Sequence, residues 1–266
     1  FALYYDAKSG KVTAMNGSGR SPKALSIEHL RKDGVEGDNI PGLNVHAITV
    51  PGAARGWEDL VKKFGTMPLT EVLKDAIFYA ENGFAVAPAY GAFWGSDYAR
   101  KFLAERPNAQ DYIPNGKTPS AGDVIRLPGL ARTFRTVAED GADAYYKGDI
   151  AKNMVETVQA RGSLMTLEDL ANHETSWDAP ITTDYLGYTV AEHPPNGQGL
   201  AALIALNIAE GSTGQTNKEF KQFVGYAIRS AVEVVSCLYL GRERGIVKEE
   251  RFASLYAETE DVVRML

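Results

Sequence analysis

The sequence predicts an α/β sandwich in which helices dominate and a minority of strands share one sheet. Two observations favour this class. Apolar residues recur at helical spacing through most of the chain, whereas strand-like runs are confined to the N-terminus and to the regions near residues 45 and 185. The length of 266 residues lies near the upper limit for one hydrophobic core, and we expect a single domain over residues 1–266.

The first predicted elements are strands. Residues 1–5 and 11–15 flank a segment rich in Asp, Ser and Gly, which predicts a β-hairpin. Residues 45–50 give a second strand signal that ends at Pro51, and residues 182–192 give a third. The chain opens on Phe1, in what resembles a strand already begun, so we expect a fragment or a chain cut by processing.

Amphipathic helices are predicted over most of the remaining chain. The clearest covers residues 70–82, where apolar residues fall on one face, Thr70 is the expected N-cap and Gly83 is the expected terminator. Thr166 and Asp169 form a weaker kind of capping box at the start of a helix over residues 166–171. The other predicted helices cover residues 27–32, 57–64, 130–139, 149–160, 200–210 and 218–240.

Composition excludes several classes of function. Lys and Arg number 28 against 34 Asp and Glu, and the resulting net charge of -6 lacks the basic excess that non-specific nucleic-acid binding requires. No apolar stretch approaches the roughly 20 residues of a membrane span, so none is predicted. Cys237 is the only cysteine and cannot form an internal disulfide, which leaves the compartment open between cytoplasmic and periplasmic or extracellular.

Motifs that bind metals or cofactors are missing from the sequence. It has no glycine fingerprint for dinucleotides, no phosphate-binding loop, no zinc-protease motif and no nucleophile elbow. The 4 histidines are scattered without metal-ligand spacing, and we interpret each as structural: His29, His46, His173 and His193. We therefore expect that no metal and no organic cofactor takes part in the chemistry, and that EDTA leaves activity intact.

Several short strings match one protein family in order along the chain. They include FALYYD (1–6), VPGAARG (50–56), KFGTMPL (63–69), AENGFAV (80–86), YYKGDIA (145–151), LMTLEDL (164–170), PPNGQG (194–199) and LNIAEG (206–211). In this order and approximate spacing they resemble the large subunit of gamma-glutamyltranspeptidases. The resemblance covers residues 1–211 and is weaker over residues 212–266.

This resemblance implies the four-layer αββα fold of N-terminal nucleophile hydrolases, of which the chain supplies the helix-rich large-subunit part. Precursors of this family cleave themselves, and the nucleophile is the threonine that begins a separate small subunit. Its hydroxyl attacks an amide carbonyl while its own amine acts as the base, so no histidine is required. The implied partners are the small subunit and a small-molecule amide, cleaved or transferred through an acyl-enzyme, and the nucleophile lies outside this chain.

One binding function of the family can be placed on this chain. The resemblance implies an Arg, four residues before a Pro, that binds the α-carboxylate of the glutamyl donor; here Ser18 occupies that position, and Arg20 stands two residues before Pro22. Serine cannot replace a bidentate guanidinium. We predict Arg20 as the substrate-facing charge and Ser18 as its hydrogen-bonding neighbour. Either Arg20 reaches the carboxylate through a differently shaped loop, or the substrate is not a γ-glutamyl amide.

A second class of function also remains open, namely a family-like scaffold without activity. A threonine-led strand segment after Leu266 would favour the enzyme, and its absence would favour the scaffold. For the enzyme, we expect the opening hairpin and the strands near residues 45–50 and 182–192 to lie within or beside a sheet that the small subunit completes. The chain alone would then expose strand edges and apolar surface.

Overall fold

The structure is a computed structural model that describes residues 1–104, 106, 109–194, 196–213 and 247–265, with isolated positions between 214 and 246. The chain divides into two compact units. The terminal unit consists of Phe1–Asn16 and Ser176–Leu266, and the central unit consists of Gly17–Thr175. The expectation of a single domain stays a prediction.

The described strands are β1 (Ala2–Asp6), β2 (Lys11–Asn16), β3 (Phe84–Ala85), β4 (Val124–Ile125), β5 (Ser176–Asp178), β6 (Ile181–Tyr185) and β7 (Tyr188–Glu192). The described α-helices are α1 (Ile27–Lys32), α2 (Ala53–Phe64), α3 (Leu69–Val72), α4 (Lys74–Asn82), α5 (Pro88–Trp94), α6 (Asp97–Ala104), α7 (Pro128–Asp140), α8 (Ala142–Lys147), α9 (Asp149–Gln159), α10 (Leu167–Ala171), α11 (Gly199–Thr213) and α12 (Glu249–Met265).

The terminal unit contains two antiparallel sheets among its described residues. Strand β2 pairs with β1 on one side and with β5 on the other, and β6 pairs with β7. The predicted first hairpin is confirmed, and Asp6 closes its turn by accepting hydrogen bonds from the Lys8 amide and the Ser9 hydroxyl. Residues 182–192 form a hairpin because Leu186 and Gly187, both at positive φ, turn the chain between β6 and β7.

The expectation that the strands share one sheet is wrong for the described residues. Strands β3 and β4 form a separate two-stranded sheet in the central unit. Each of the two smaller sheets is a local antiparallel pair, so neither extends the sheet formed by β1, β2 and β5.

Helices supply most of the core of the central unit. Tyr146, Val137 and Leu170 are completely buried, and they come from α8, α7 and α10. The remaining buried members of this core are Val50, Ala54, Leu69, Leu73, Ala142, Ala151, Val155 and Met165. Because these side chains pack together, the segment just before α2, which contains Val50, is anchored directly to the helical core.

The strand predicted over residues 45–50 is wrong. Val45–Ala47 form one turn of 3-10 helix, because the Asn44 side chain accepts a hydrogen bond from the His46 amide at 2.8 Å and so stabilises a turn. Val50 is buried, which explains the apolar signal, but its amide bonds to the Arg20 carbonyl in a loop. A place beside a sheet that the small subunit completes stays a prediction for this segment.

The helix predicted over residues 70–82 is interrupted at Leu73, which separates α3 from α4. Thr70 lies inside α3, and Pro68 occupies the N-cap position, so the predicted cap is wrong. Gly83 ends α4 at a φ of 102°, as the sequence predicts. Helix α2 begins at Ala53 and is longer than predicted.

Most of the other predicted helices are confirmed. Helix α1 has the side chain of Ser26 as its N-cap, and the capping box of Thr166 and Asp169 opens α10. Helices α7, α9 and α11 match their predicted positions within a few residues. The helix predicted over residues 218–240 lies mostly outside the described residues, as does Cys237, although positions 224 and 238 are helical.

Candidate functional site

The loop after β2 lies in close backbone contact with the segment before α2. The Val50 amide donates to the Arg20 carbonyl at 3.0 Å. A Cβ on Gly19 would lie 1.6 Å from the Val50 carbonyl oxygen, and a Cβ on Gly52 would lie 1.8 Å from that of Gly17. Only glycine permits these approaches. We call this contact of residues 17–20 with residues 50–52 the glycine crossing.

The glycine crossing forms one side of a cleft of about 970 Å³ within the central unit. Arg20 and Lys23 contribute positive charge to the lining of this cleft, and the opposite side comes from α10 and the residues that follow it. Negative charge there is supplied by Glu168, Asp169 and Glu174. The cleft can therefore contact both an anionic and a cationic group of one small molecule.

Asp169 joins the two sides of the cleft. Its carboxylate accepts a hydrogen bond from the Lys23 amide at 2.9 Å and another from the Thr166 amide at 2.8 Å. Burial opposes its ionisation, but these hydrogen bonds hold the pKa of Asp169 below its usual range. The capping box thus fixes a carboxylate that also anchors the loop carrying Arg20.

The two predicted site residues occupy different places. Arg20 is exposed and lines the cleft, and among the described residues no carboxylate forms an ion pair with its side chain. Ser18 is exposed but does not line the cleft. Their roles as substrate contacts stay predictions.

Tyr146 stabilises the glycine crossing from the core. Its hydroxyl donates to the Pro51 carbonyl at 2.6 Å and accepts from the Arg55 amide at 3.2 Å. Burial raises the pKa of Tyr146 to about 12, so the hydroxyl keeps its proton at neutral pH. The backbone between Pro51 and Arg55 is therefore held at both ends by one side chain.

An ion-pair cluster lies around Arg55. This guanidinium contacts both Glu58 and Asp143, and the buried Glu58 also accepts a hydrogen bond from the Ala142 amide at the start of α8. Hydrogen bonds from Arg55 and Lys147 lower the pKa of Asp143 to about 2. The cluster fastens α2 to α8 on the side where Tyr146 holds the chain.

His173 lines the cleft and was not singled out as a site residue from the sequence. It is 7% exposed, and its Nε2 atom has no hydrogen-bond partner among the described residues. Burial lowers the pKa of His173. In contrast, His46 Nε2 lies 2.7 Å from an Asp33 carboxylate oxygen, and His193 Nε2 lies 2.9 Å from the Met15 carbonyl.

Two features are absent from the described part of the chain. Within it, no group of three or more His, Cys, Asp or Glu residues could hold a metal ion. No helix there is long and apolar enough to cross a membrane.

Comparison with known proteins gives the family. The model of the gamma-glutamyltranspeptidase family matches residues 1–262, well beyond the strings quoted above. The chain belongs to the gamma-glutamyltranspeptidase family. The resemblance drawn from the sequence is therefore confirmed, and so is the N-terminal nucleophile hydrolase fold, of which the chain supplies the helix-rich large-subunit part.

Individual gamma-glutamyltranspeptidase relatives support the same conclusion. The chain is 34% identical over 265 residues to the glutathione hydrolase-like YwrD proenzyme of Bacillus subtilis (strain 168), covering 97% of this chain and 48% of that protein. It therefore spans about half the length of that relative.

The solved structures similar to this chain include a cephalosporin acylase and a gamma-glutamyltranspeptidase. The cephalosporin acylase from Bacillus halodurans has a TM-score of 0.72 and 38% identity, covering 79% of this chain and 39% of that one. The Helicobacter pylori gamma-glutamyltranspeptidase has a TM-score of 0.71 and 26% identity, covering 86% of this chain and 67% of that one.

Proposed function

We propose that this chain is the large-subunit portion of an enzyme that cleaves a small anionic amide. The nucleophile is the N-terminal threonine of a small subunit from the same precursor. Family membership and the proenzyme status of YwrD support this assignment, as does the chain's span of about half of that relative.

The observation that carries the proposal is the placement of Arg20. The glycine crossing fixes its backbone through the hydrogen bond to Val50, and its side chain lies in a cleft without a carboxylate partner among the described residues. A guanidinium can bind a carboxylate through two parallel hydrogen bonds. Arg20 therefore binds the negatively charged part of the substrate.

The reaction proceeds through an acyl-enzyme. The threonine hydroxyl attacks the amide carbonyl and its proton passes to the threonine's own α-amine, which then protonates the departing amine. Water, or an acceptor amine, next attacks the ester and releases the acid or a new amide. No step requires a metal, so turnover is expected to survive EDTA.

The substrate is proposed to differ from a simple γ-glutamyl donor. The family's carboxylate-binding Arg corresponds to Ser18 here, and the charge lies instead at Arg20. Relatives of this chain carry names of both kinds, glutathione hydrolase-like and cephalosporin acylase. We expect γ-glutamyl transfer to be weak compared with hydrolysis of another short anionic amide.

The substitution Arg20→Ala in the processed two-subunit enzyme tests this function. It should lower kcat/KM for a carboxylate-bearing anilide by a factor of about 10 to 1,000, because a charged hydrogen-bonded contact is lost. Arg161→Ala is the matched control, since Arg161 is exposed in the same unit and does not line the cleft. An uncharged anilide should respond to neither change.

Two outcomes would contradict the proposal. Efficient turnover of γ-glutamyl-p-nitroanilide that is stimulated by an acceptor dipeptide and survives Arg20→Ala would refute both the residue and the substrate class. Mass spectrometry of the expressed full-length precursor should show two chains. A single uncleaved chain without activity would instead support a non-catalytic scaffold.

A further inference from the structure

His173 is a buried titratable group that the proposed reaction does not use. Its Nε2 atom lies 2.8 Å from the position that a Cβ on Gly52 would occupy, and the Gly17 carbonyl oxygen lies 1.8 Å from the same position. The imidazole therefore packs directly against the glycine crossing. Its ring also lies 5.4 Å from the ring of Tyr146, centroid to centroid.

The two aromatic side chains support the crossing in different ways. Tyr146 fixes the carbonyl of Pro51 by a hydrogen bond, whereas His173 fills the space beside Gly52. Burial lowers the pKa of the imidazole because desolvation disfavours its charged form, and this effect outweighs the opposing influence of the Gly52 backbone. The neutral imidazole is thus the form that fits this contact.

We propose that neutral His173 is a positioning residue, which holds residues 17–20 against residues 50–52 and so sets the place of Arg20 in the cleft. The proposal rests on the proposed function, because it assumes that Arg20 binds the substrate. His173 acts through the loop that carries Arg20 and does not touch the substrate.

Protonation of His173 should loosen the crossing. The charged groups near the imidazole are Arg20 from the loop and Arg55 and Asp59 from α2, and the neutral phenol of Tyr146 from α8 packs beside it. The guanidinium groups of Arg20 and Arg55 disfavour protonation of His173, because they are themselves positively charged. The carboxylate of Asp59, which accepts a hydrogen bond from Thr175, favours protonation. The cleft also contains the charges of Lys23, Glu168, Asp169 and Glu174.

The direction of the pH effect follows from the lowered pKa. The contribution of neutral His173 to the stability of the fold is fully present above the ordinary histidine pKa of 6.5. It is lost as the pH falls through the lower pKa of the folded state. We therefore expect the crossing to open on acidification, with a rise in KM.

The Val50 amide reports directly on the crossing, because it donates to the Arg20 carbonyl. Hydrogen exchange of this amide should be measured in the processed two-subunit enzyme at about pH 7.5 and about pH 5.5, corrected for the intrinsic rate. The Leu127 amide, which donates to the Ala80 carbonyl at 2.8 Å, serves as the internal reference.

Two variants separate packing from protonation. His173→Ala should speed Val50 exchange by about tenfold or more at neutral pH and raise KM by about tenfold, with kcat within about threefold of the wild type. His173→Gln keeps a neutral polar group of similar reach, so it should stay close to the wild type at neutral pH. It should also lose the acid-dependent rise in exchange and in KM. His29→Gln is the control outside the cleft.

The outcomes decide between the two proposals. If Val50 exchange in the wild type does not respond to pH, or responds equally in His173→Gln, the positioning role is overturned, whatever the activity. If His173→Ala unfolds the protein, the Leu127 amide also exchanges faster, and the comparison of the wild type with His173→Gln still decides. If the exchange results hold but Arg20→Ala leaves activity unchanged, the proposed function fails while the positioning of the loop stands.

Discussion

In the central unit, α8 and α10 bury Tyr146 and Leu170 with no exposed surface, although other helices of the unit leave aromatic side chains such as Phe78 and Tyr90 more than half exposed. In the terminal unit, strand β1 and the residue before it leave alternate apolar side chains exposed, with Phe1 and Tyr5 each at 63% and Leu3 at 42%. The burial of Tyr146 and Leu170 is typical of a helical core packed within the unit. The alternate exposure along β1 is typical of a strand face that another polypeptide covers, as the proposed small subunit would.

The largest expected effect tests the core of the central unit. Leu170→Ala should lower the free energy of unfolding by about 2–5 kcal/mol, because it leaves a cavity at a fully buried site. Leu167, in the same helix, is 44% exposed, and Leu167→Ala should change the free energy of unfolding by no more than about 0.5 kcal/mol. Urea denaturation of both variants measures the difference. Equal losses of stability in Leu170→Ala and Leu167→Ala would contradict the burial of Leu170 in this core.

A smaller effect is expected from the hydroxyl of Tyr146. Tyr146→Phe should lower the free energy of unfolding by about 1–3 kcal/mol, because the Pro51 carbonyl and the Arg55 amide lose a buried partner. Tyr145→Phe is the neighbouring control, since its hydroxyl makes no hydrogen bond among the described residues. If the two variants unfold at the same urea concentration, the hydroxyl does not hold the crossing.

Local signals in the sequence predicted much of the fold. Ser26 and the pair Thr166 and Asp169 cap their helices through side chains that lie within three residues of the amides they bind. The segment 45–50 was mispredicted because Asn44 stabilises a turn that the β-branched pattern conceals. Helix α3 begins at Leu69, with Pro68 rather than Thr70 as its N-cap, and Leu73 ends it.

The candidate site depends more on contacts between distant residues. Arg20 could be selected from the sequence because a family motif and its offset from Pro22 single it out. His173 could not, because its significance arises from the close approach of Gly17 and Gly52, which are far apart in the sequence. A histidine that follows a short helix carries no signal of such a contact.

The ion-pair cluster around Arg55 gives a pH-dependent test of the central unit. Hydrogen bonds from Arg55 and Lys147 lower the pKa of Asp143 to about 2 from an ordinary value of 3.8. This carboxylate therefore stabilises the fold above 3.8, and its contribution is lost as the pH falls through about 2. Its side chain is 58% exposed, so solvent screening limits the contribution to less than about 1 kcal/mol.

Asp143→Asn should accordingly lower stability at neutral pH but not in strong acid. Urea denaturation at about pH 7 and about pH 2 measures this, and the difference between the two conditions should be smaller in the variant than in the wild type. An unchanged difference would show that Asp143 does not contribute through its charge.

The smallest change in stability is expected on the exposed face of β1. Tyr5→Ser should alter the free energy of unfolding of this chain by no more than about 0.5 kcal/mol, since the ring is already exposed. If the small subunit covers this face, the same change should weaken reassociation of the separated subunits. Tyr90 is 71% exposed in the central unit, and Tyr90→Ser is the control that should leave reassociation unchanged. Equal reassociation of both variants with the small subunit would mean that the exposed aromatic residues of β1 are not its docking surface.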